Sequence, residues 1–299
     1  MSKKILVVGS ANTDMVVKAS HLPRPSETVL GGTFLMSPGG KGANQAVAAA
    51  RLGAQVAIVC KTGNDFFGQQ SRLVFTNEGI DTSFAFSDAE HPSGVALIIV
   101  DDQAENCIAV ASGANAHLLP ADLVDAADAI EQSDIVLMQL EIPMETIKYV
   151  ASIAHSKGKT VILNPAPAHS LGRSLLQHVD ILTPNEIEAS MISGIPITDT
   201  ASAYEAARAI CAMGVQIVII TLGSKGALIY TDTFQEEIPV EKVEAVDTTS
   251  AGDVFNGALA VALSENQTIP NAVQFACRAA AISVTRIGSQ TSAPYREEL

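Results

Sequence analysis

Short apolar runs recur along the chain, each stopped by Gly, Pro, Asn or Asp: "ILVVG" from residue 5, "VAIVC" from 56, "DIVLMQL" from 134, "TVILNP" from 160, "DILTPN" from 180 and "IVIITLG" from 217. Successive positions in these runs are apolar, so both faces of each strand are covered, as in a buried parallel sheet. Between several of them lie stretches with helical spacing, "ANQAVAAARLGA", "METIKYVASIAHSKGK" and "ASAYEAARAICAMG". Alternating strand and helix predicts an α/β fold, with a mostly parallel sheet covered on both faces by right-handed crossovers.

Two segments depart from that rhythm. Residues 14–36 and 92–112 read as short strands and turns with no helix between them. They suit either a small antiparallel sheet beside the main one, acting as a lid over a site, or ordinary edge hairpins. Internal repeats, low-complexity stretches and flexible linkers are missing, so residues 1–299 read as a single domain.

Composition narrows the partners. The 299 residues can bury a sizeable core, and a 47% apolar share fits a globular enzyme. A net charge of -14 argues against nucleic acid or an anionic membrane as partner, since both attract basic patches. The N-terminal "MSKKILVVGSANTD" lacks the apolar core and cleavage site of a signal peptide. Cys60, Cys107, Cys211 and Cys277 are scattered without metal spacing, as free thiols of a reducing cytoplasm would be.

Candidate chemistry collects where apolar runs end. "SPGGKGANQA" sets Gly39, Gly40 and Lys41 before a helix whose N-terminal amides could hold an anion, although Leu35 and Gly42 rule out the P-loop pattern. "VVGSANTDM" lacks the Rossmann glycines but places Asn12 and Asp14 beyond the first strand, where an amide and a carboxylate can hold several hydroxyls or simply form a turn. "LTPNEIEA" offers Asn185, Glu186 and Glu188 either to water-bound magnesium or to a helix start. "TLGSKGA", with Gly223 and Gly226, suits a hairpin or a nucleotide cradle. In "VDTTSAGDVFNGALA", amides at Ser250, Ala251 and Gly252 could stabilise a phosphoryl group, with Asp253 as proton acceptor; a first-turn Asp also simply stabilises a helix.

In their order and spacing, "GSANTD", "GGKGANQA", "MQLE", "NPAPA", "TPNE", "TLGSKGA", "DTTSAGD" and "VTRIGSQTSAPYRE" resemble the ribokinase family of ATP-dependent sugar kinases over nearly the whole chain. The resemblance implies a three-layer α/β/α sandwich with a small β lid, and phosphorylation of D-ribose at its 5-hydroxyl. It implies a sugar site of Asn12, Asp14, Gly39, Gly40, Lys41, Asn44 and Glu141, with Asp253 as base. For the nucleotide it implies Asn185, Thr221, Gly223, Ser224, Lys225, Gly226, Gly252 and Cys277, with Asn185 and Glu188 associated with Mg2+. A monovalent cation, usually K+, is implied near Asp247, Thr249, Ser283, Arg286, Gly288 and Ser292, together with a homodimer through the lid. Two departures from the family pattern are Ser250, where Gly is common, and Cys277, where a polar residue often faces the adenine. A kinase for 2-deoxyribose or fructose, or a sugar sensor without chemistry, are the competing readings.

Overall fold

The computed structural model of the chain describes residues 3–103 and 105–299. In chain order the strands are β1 (Lys4–Val8), β2 (Asn12–Lys18), β3 (Thr33–Gly39), β4 (Gln55–Gly63), β5 (Asp81–Asp88), β6 (Gly94–Val100), β7 (Asn106–Ala111), β8 (Ile135–Met138), β9 (Thr160–Leu163), β10 (Ile181–Leu182), β11 (Ile217–Thr221), β12 (Ala227–Tyr230) and β13 (Gln235–Ile238). The helices are α1 (Lys41–Arg51), α2 (Phe66–Asn77), α3 (Ala127–Gln132), α4 (Met144–Ser156), α5 (Arg173–Leu176), α6 (Glu186–Ser193), α7 (Thr200–Cys211), α8 (Ala251–Ser264) and α9 (Ile269–Ser283).

The main sheet runs β13-β12-β11-β10-β9-β8-β1-β4-β5. It is parallel from β5 to β11, and the β11–β12–β13 meander adds an antiparallel edge. The unbroken apolar runs have their physical counterpart here. Ile5 and Val7 pack into one core with α1, α8 and α9, whereas Leu6 and Val8 pack into a second with α3, α4, α6 and α7. A strand buried on both faces has no polar side to show.

The second sheet, β3-β2-β6-β7, is mixed rather than antiparallel. β2 pairs with β3, and β6 with β7, in opposite directions, but β2 and β6 run parallel with Asn12 opposite Gly94. The reason is topological: β2 follows β1 and β6 follows β5, two parallel strands, so both climb away from the same edge of the main sheet. Ala104, within the expected 92–112 segment, lies outside the described residues, as do Met1 and Ser2. Among the described residues no helix is long and apolar enough to cross a membrane.

Candidate active site

The carboxyl ends of β1, β8, β9, β10 and β11 open on a pocket of about 330 Å³, roofed on one side by the second sheet. In open α/β sheets this edge collects ligands because loops there diverge around a switch in strand order. Its wall carries Asn12, Asp14, Gly40, Lys41, Asn44, Glu141, Asn185, Glu188, Thr221, Thr249 and residues Ser250 to Asp253.

Close helix packing sets the geometry of Asp253. A Cβ on Gly257 would sit 2.7 Å from the Gln45 carbonyl and 2.8 Å from the Ala48 Cβ, so α8 lies against alanine-rich α1 as near as backbones allow. That contact brings two side-chain amides to the Asp253 carboxylate: Asn44 Nδ2 donates to Oδ2 (2.9 Å) and Gln45 Nε2 to Oδ1 (3.0 Å). Asp253 is buried at the first turn of α8. Helix N-termini leave amides unbonded. Here Ala251 N turns back to Thr248 O at 3.3 Å, while Gly252 N and Asp253 N find no acceptor among the described residues. Ser250 N is likewise without an acceptor among the described residues, so two of the three amides of the expected 250–252 set are free and Asp253 N joins them. Ser250 adopts φ 61 at the cap, and its hydroxyl accepts from Asn44 Nδ2 (2.9 Å), so it stays on the pocket wall.

Across the pocket, Gly40 caps α1 with φ 90, and any Cβ there would meet Asn12 N at 2.6 Å. The loop after β1 therefore rests directly on the start of α1, with Ala43 N donating to Ser10 O (2.8 Å). Asn115 Nδ2 donates to Asn12 Oδ1 (2.7 Å), which leaves the Asn12 amide protons for the pocket. Asp14 accepts from Ser289 Oγ (3.1 Å), with Gly39 backing its carboxylate. Burial pushes the Asp14 carboxyl up to about 6; the Ser289 bond opposes this, and Glu141 and Asp253 add repulsion. For Lys41, burial works against the charge, but Asp253, Glu141, Glu188 and Asp14 outweigh it and raise the amine above its ordinary value. Glu141 Oε2 accepts from Ser10 Oγ (2.5 Å) and Lys41 N (3.1 Å).

The opposite end is organised around α6. Asn185 and Glu188 form a reciprocal capping box: Asn185 Oδ1 accepts from Glu188 N (2.8 Å) and Glu188 Oε2 from Asn185 N (2.9 Å). Burial raises the Glu188 carboxyl, only partly offset by the Asn185 bond. Thr221 lies beside Asn185 and is followed by the Gly223–Lys225 turn. Gly223, Ser224 and Lys225 are exposed and, with Gly226, stand outside the pocket wall. Cys277 also leaves that wall: it packs into the α8–α9 core, where burial pushes its thiol up to about 12.

Asp247 ties two loops together, accepting from Thr249 N and Gly288 N, both at 2.9 Å. Burial alone would raise its carboxyl, but these hydrogen bonds hold it below the usual value. Other side chains of the expected cation set are committed elsewhere. Ser283 Oγ donates to Ala280 O, Ser292 Oγ to Ser289 O, and the Arg286 guanidinium pairs with Glu298.

Several polar residues of this region were missed as individual sites: Gln45, Asn115, Gln139, Asn164, Thr183, Asn256 and Ser289. Gln139, Asn164 and Thr183 share one signal, being the first polar residue after the apolar strands β8, β9 and β10.

Residues 2–296 match the pfkB family carbohydrate kinases, and the chain belongs to that family. It is 43% identical to the ribokinase of Haemophilus influenzae, over 100% of this chain and 97% of that one. It is also 35% identical to the deoxyribokinase of Salmonella typhi, over 98% and 96%. The Arabidopsis thaliana ribokinase solved with ribose and ATP superposes with a TM-score of 0.92 at 31% identity, covering 99% of this chain and 97% of that one.

Proposed function

We propose that this chain transfers the γ-phosphoryl group of ATP to the 5-hydroxyl of D-ribose, giving D-ribose 5-phosphate and ADP. One observation carries the reading: the Asp253 carboxylate stands at the open N-terminus of α8, facing the pocket that Asn12 and Asp14 enter from the other side. The Asn12 amide protons and the Asp14 carboxylate bind and orient sugar hydroxyls, with Lys41, Asn44 and Glu141 completing that wall. Asp253 takes the proton from the attacking hydroxyl. The Ser250 and Gly252 amides, joined by that of Asp253 at the positive end of the helix, meet the charge that develops on the transferring group. The nucleotide lies toward Asn185, Thr221 and the Gly223–Gly226 turn, with Cys277 behind the wall.

The residues present fit both cations. Glu188 keeps one carboxylate oxygen outside its capping bond, and among the described residues no cluster of three or more His, Cys, Asp or Glu offers a cage. That suits a magnesium ion held mainly by phosphate and water, where it would offset phosphate charge. Asp247, with backbone carbonyl oxygens of Thr249, Ser283, Arg286, Gly288 and Ser292, is the all-oxygen set that a weakly held potassium ion prefers; there it would steady the loop leading into α8. The second sheet acts as a lid that excludes water, and its exposed strands pair two copies into a homodimer. The cytoplasm, which supplies ATP and keeps thiols reduced, is the assigned compartment.

The test is ADP release from magnesium ATP with ribose, 2-deoxyribose or fructose, with and without potassium, for the parent chain and Asp253→Asn. Ribose-selective turnover lost in the variant supports the reading. Preference for 2-deoxyribose keeps the mechanism and changes the substrate, whereas sugar binding without ADP leaves a sensor.

A further inference from the structure

Behind the Asp253 carboxylate lies a row of neutral amides, Gln139, Gln45 and Asn164, of which Asn164 alone lines the pocket. Gln139, at the end of β8, and Gln45, in α1, are both fully buried. Gln139 Nε2 donates to Gln45 Oε1 (2.6 Å). Gln45 Nε2 then donates to Asp253 Oδ1 (3.0 Å) and to Asn164 Oδ1 (3.1 Å). Asn164 cannot reverse freely, because its own Nδ2 donates to Thr183 O (3.2 Å).

A side-chain amide can face a carboxylate with its NH2 or with its oxygen, and the two orientations have opposite consequences. Donation to the carboxylate favours the ionised form, whereas an amide oxygen facing it disfavours charge. Gln45 on its own has nearly the same shape either way. Its orientation is decided by its neighbours: Asn164 presents an acceptor, Gln139 a donor, and only one orientation of Gln45 satisfies both. In a buried site the wrong orientation would face oxygen to oxygen twice, at a desolvated cost no water can relieve.

We infer that Gln139 is a positioning residue for the reaction, acting through Gln45 to hold the Asp253 carboxylate aimed into the pocket before the sugar arrives. The inference rests on the proposed role of Asp253 as base. The relay accounts for Gln139 being polar in the middle of a core: one of its two amide N–H groups goes to Gln45, while its Oε1 is buried without a partner among the described residues. A cost of that kind persists where an orientation must be held.

The experiment compares Asp253→Asn, Gln139→Met and Gln139→Glu in the intact chain. Gln139→Met keeps the volume and removes the donor; Gln139→Glu introduces an acceptor that draws the Gln45 NH2 away from the base. Turnover should fall about 10-fold in the first and further in the second, with sugar KM within about two-fold. A rise in KM with kcat unchanged overturns the relay, as does parent-like turnover in both. Full activity in Asp253→Asn instead overturns the reading of the base, so the two failures are distinguishable. Should the Gln139 variants not fold, selective 15N labelling of glutamine side chains in the unmodified chain decides. The Gln139 amide must titrate with the same midpoint as Gln45, and a flat Gln139 resonance beside a moving Gln45 sinks the inference.

Discussion

The two sheets use similar apolar residues in opposite ways. Ile5 to Val8 of β1 are at most 1% exposed, whereas every residue of β7 is exposed, Ile108 and Val110 by more than half. Burial on both faces leaves the main sheet one arrangement, and its strand ends can therefore hold polar groups to within a hydrogen bond. The second sheet has no helical layer covering both faces, and stands free to move or to be covered by a partner. On the proposed reading, proton transfer belongs to the first and access control to the second.

The largest effect that would sharpen this contrast is at Asp253. Asp253→Asn keeps the hydrogen-bonding shape and removes the base, so kcat should drop by about 10²–10⁴-fold, while sugar binding measured by calorimetry persists. A drop of less than about 10-fold would mean that the rigid sheet positions the sugar and α8 amides without needing a proton acceptor.

Next comes the packing that aims this group. Gly257→Val places a branched side chain between α8 and α1, where even a Cβ lies 2.7 Å from the Gln45 carbonyl. Overpacking costs up to about 3 kcal/mol, read as a lower thermal midpoint, and kcat should fall because Gln45 and Asn44 move with α1. A variant that is less stable yet equally active would separate the scaffold from the site.

Asp14 stands where the sheets meet, and its effects have opposite signs. An acid whose folded value is raised binds its proton more tightly when folded, so stability falls as pH climbs from about 4 through about 6, and the cost is complete above that. The rise from 3.8 to about 6 corresponds to about 3 kcal/mol at most. Asp14→Asn should therefore raise the melting midpoint at pH 7 but not at pH 4, while weakening sugar binding. In the parent chain the sugar KM should climb as pH drops below about 6. A variant no more stable at pH 7 would show that Ser289 and Lys41 already offset the burial.

Much of the scaffold was legible in the sequence, because a strand buried on both faces must be apolar at every position. "ILVVG" and "IVIITLG" announce themselves, and Asn12, Asp14 and Thr221 at their ends fall on the pocket wall, whereas the Gly223–Gly226 turn does not. Less legible was whatever depends on direction or on hydrogen-bond orientation. The parallel pairing of β2 with β6 follows from which edge they leave, not from their composition. Cys277 matched a motif position, yet the helix face it occupies is set by the tight α8–α9 packing. Gln45 and Gln139 were quoted inside motifs without being singled out, since nothing in one chain says that two distant glutamines meet. The Asn185–Glu188 pair forms the helix-start cap that one of its two readings expected, and both residues also line the pocket.

The smallest effect on the single chain is expected at Phe34 on β3, 60% exposed. Its alternation with Leu35 places it on the opposite side of the sheet from Asp14, alongside Met36, across from Val17 on β2. An exposed ring contributes little within its own chain, so Phe34→Ser should leave monomer stability within about 0.5 kcal/mol. If that apolar surface is the seam between two copies, light scattering should give twice the 31.1 kDa chain mass for the parent and a concentration-dependent fall toward the single-chain mass for the variant. A parent already at 31.1 kDa would remove the homodimer and leave the second sheet as a lid alone. Its exposed apolar residues would then have to be explained by closure onto the sugar, with Ile108 and Val110, which line the pocket, carrying that role.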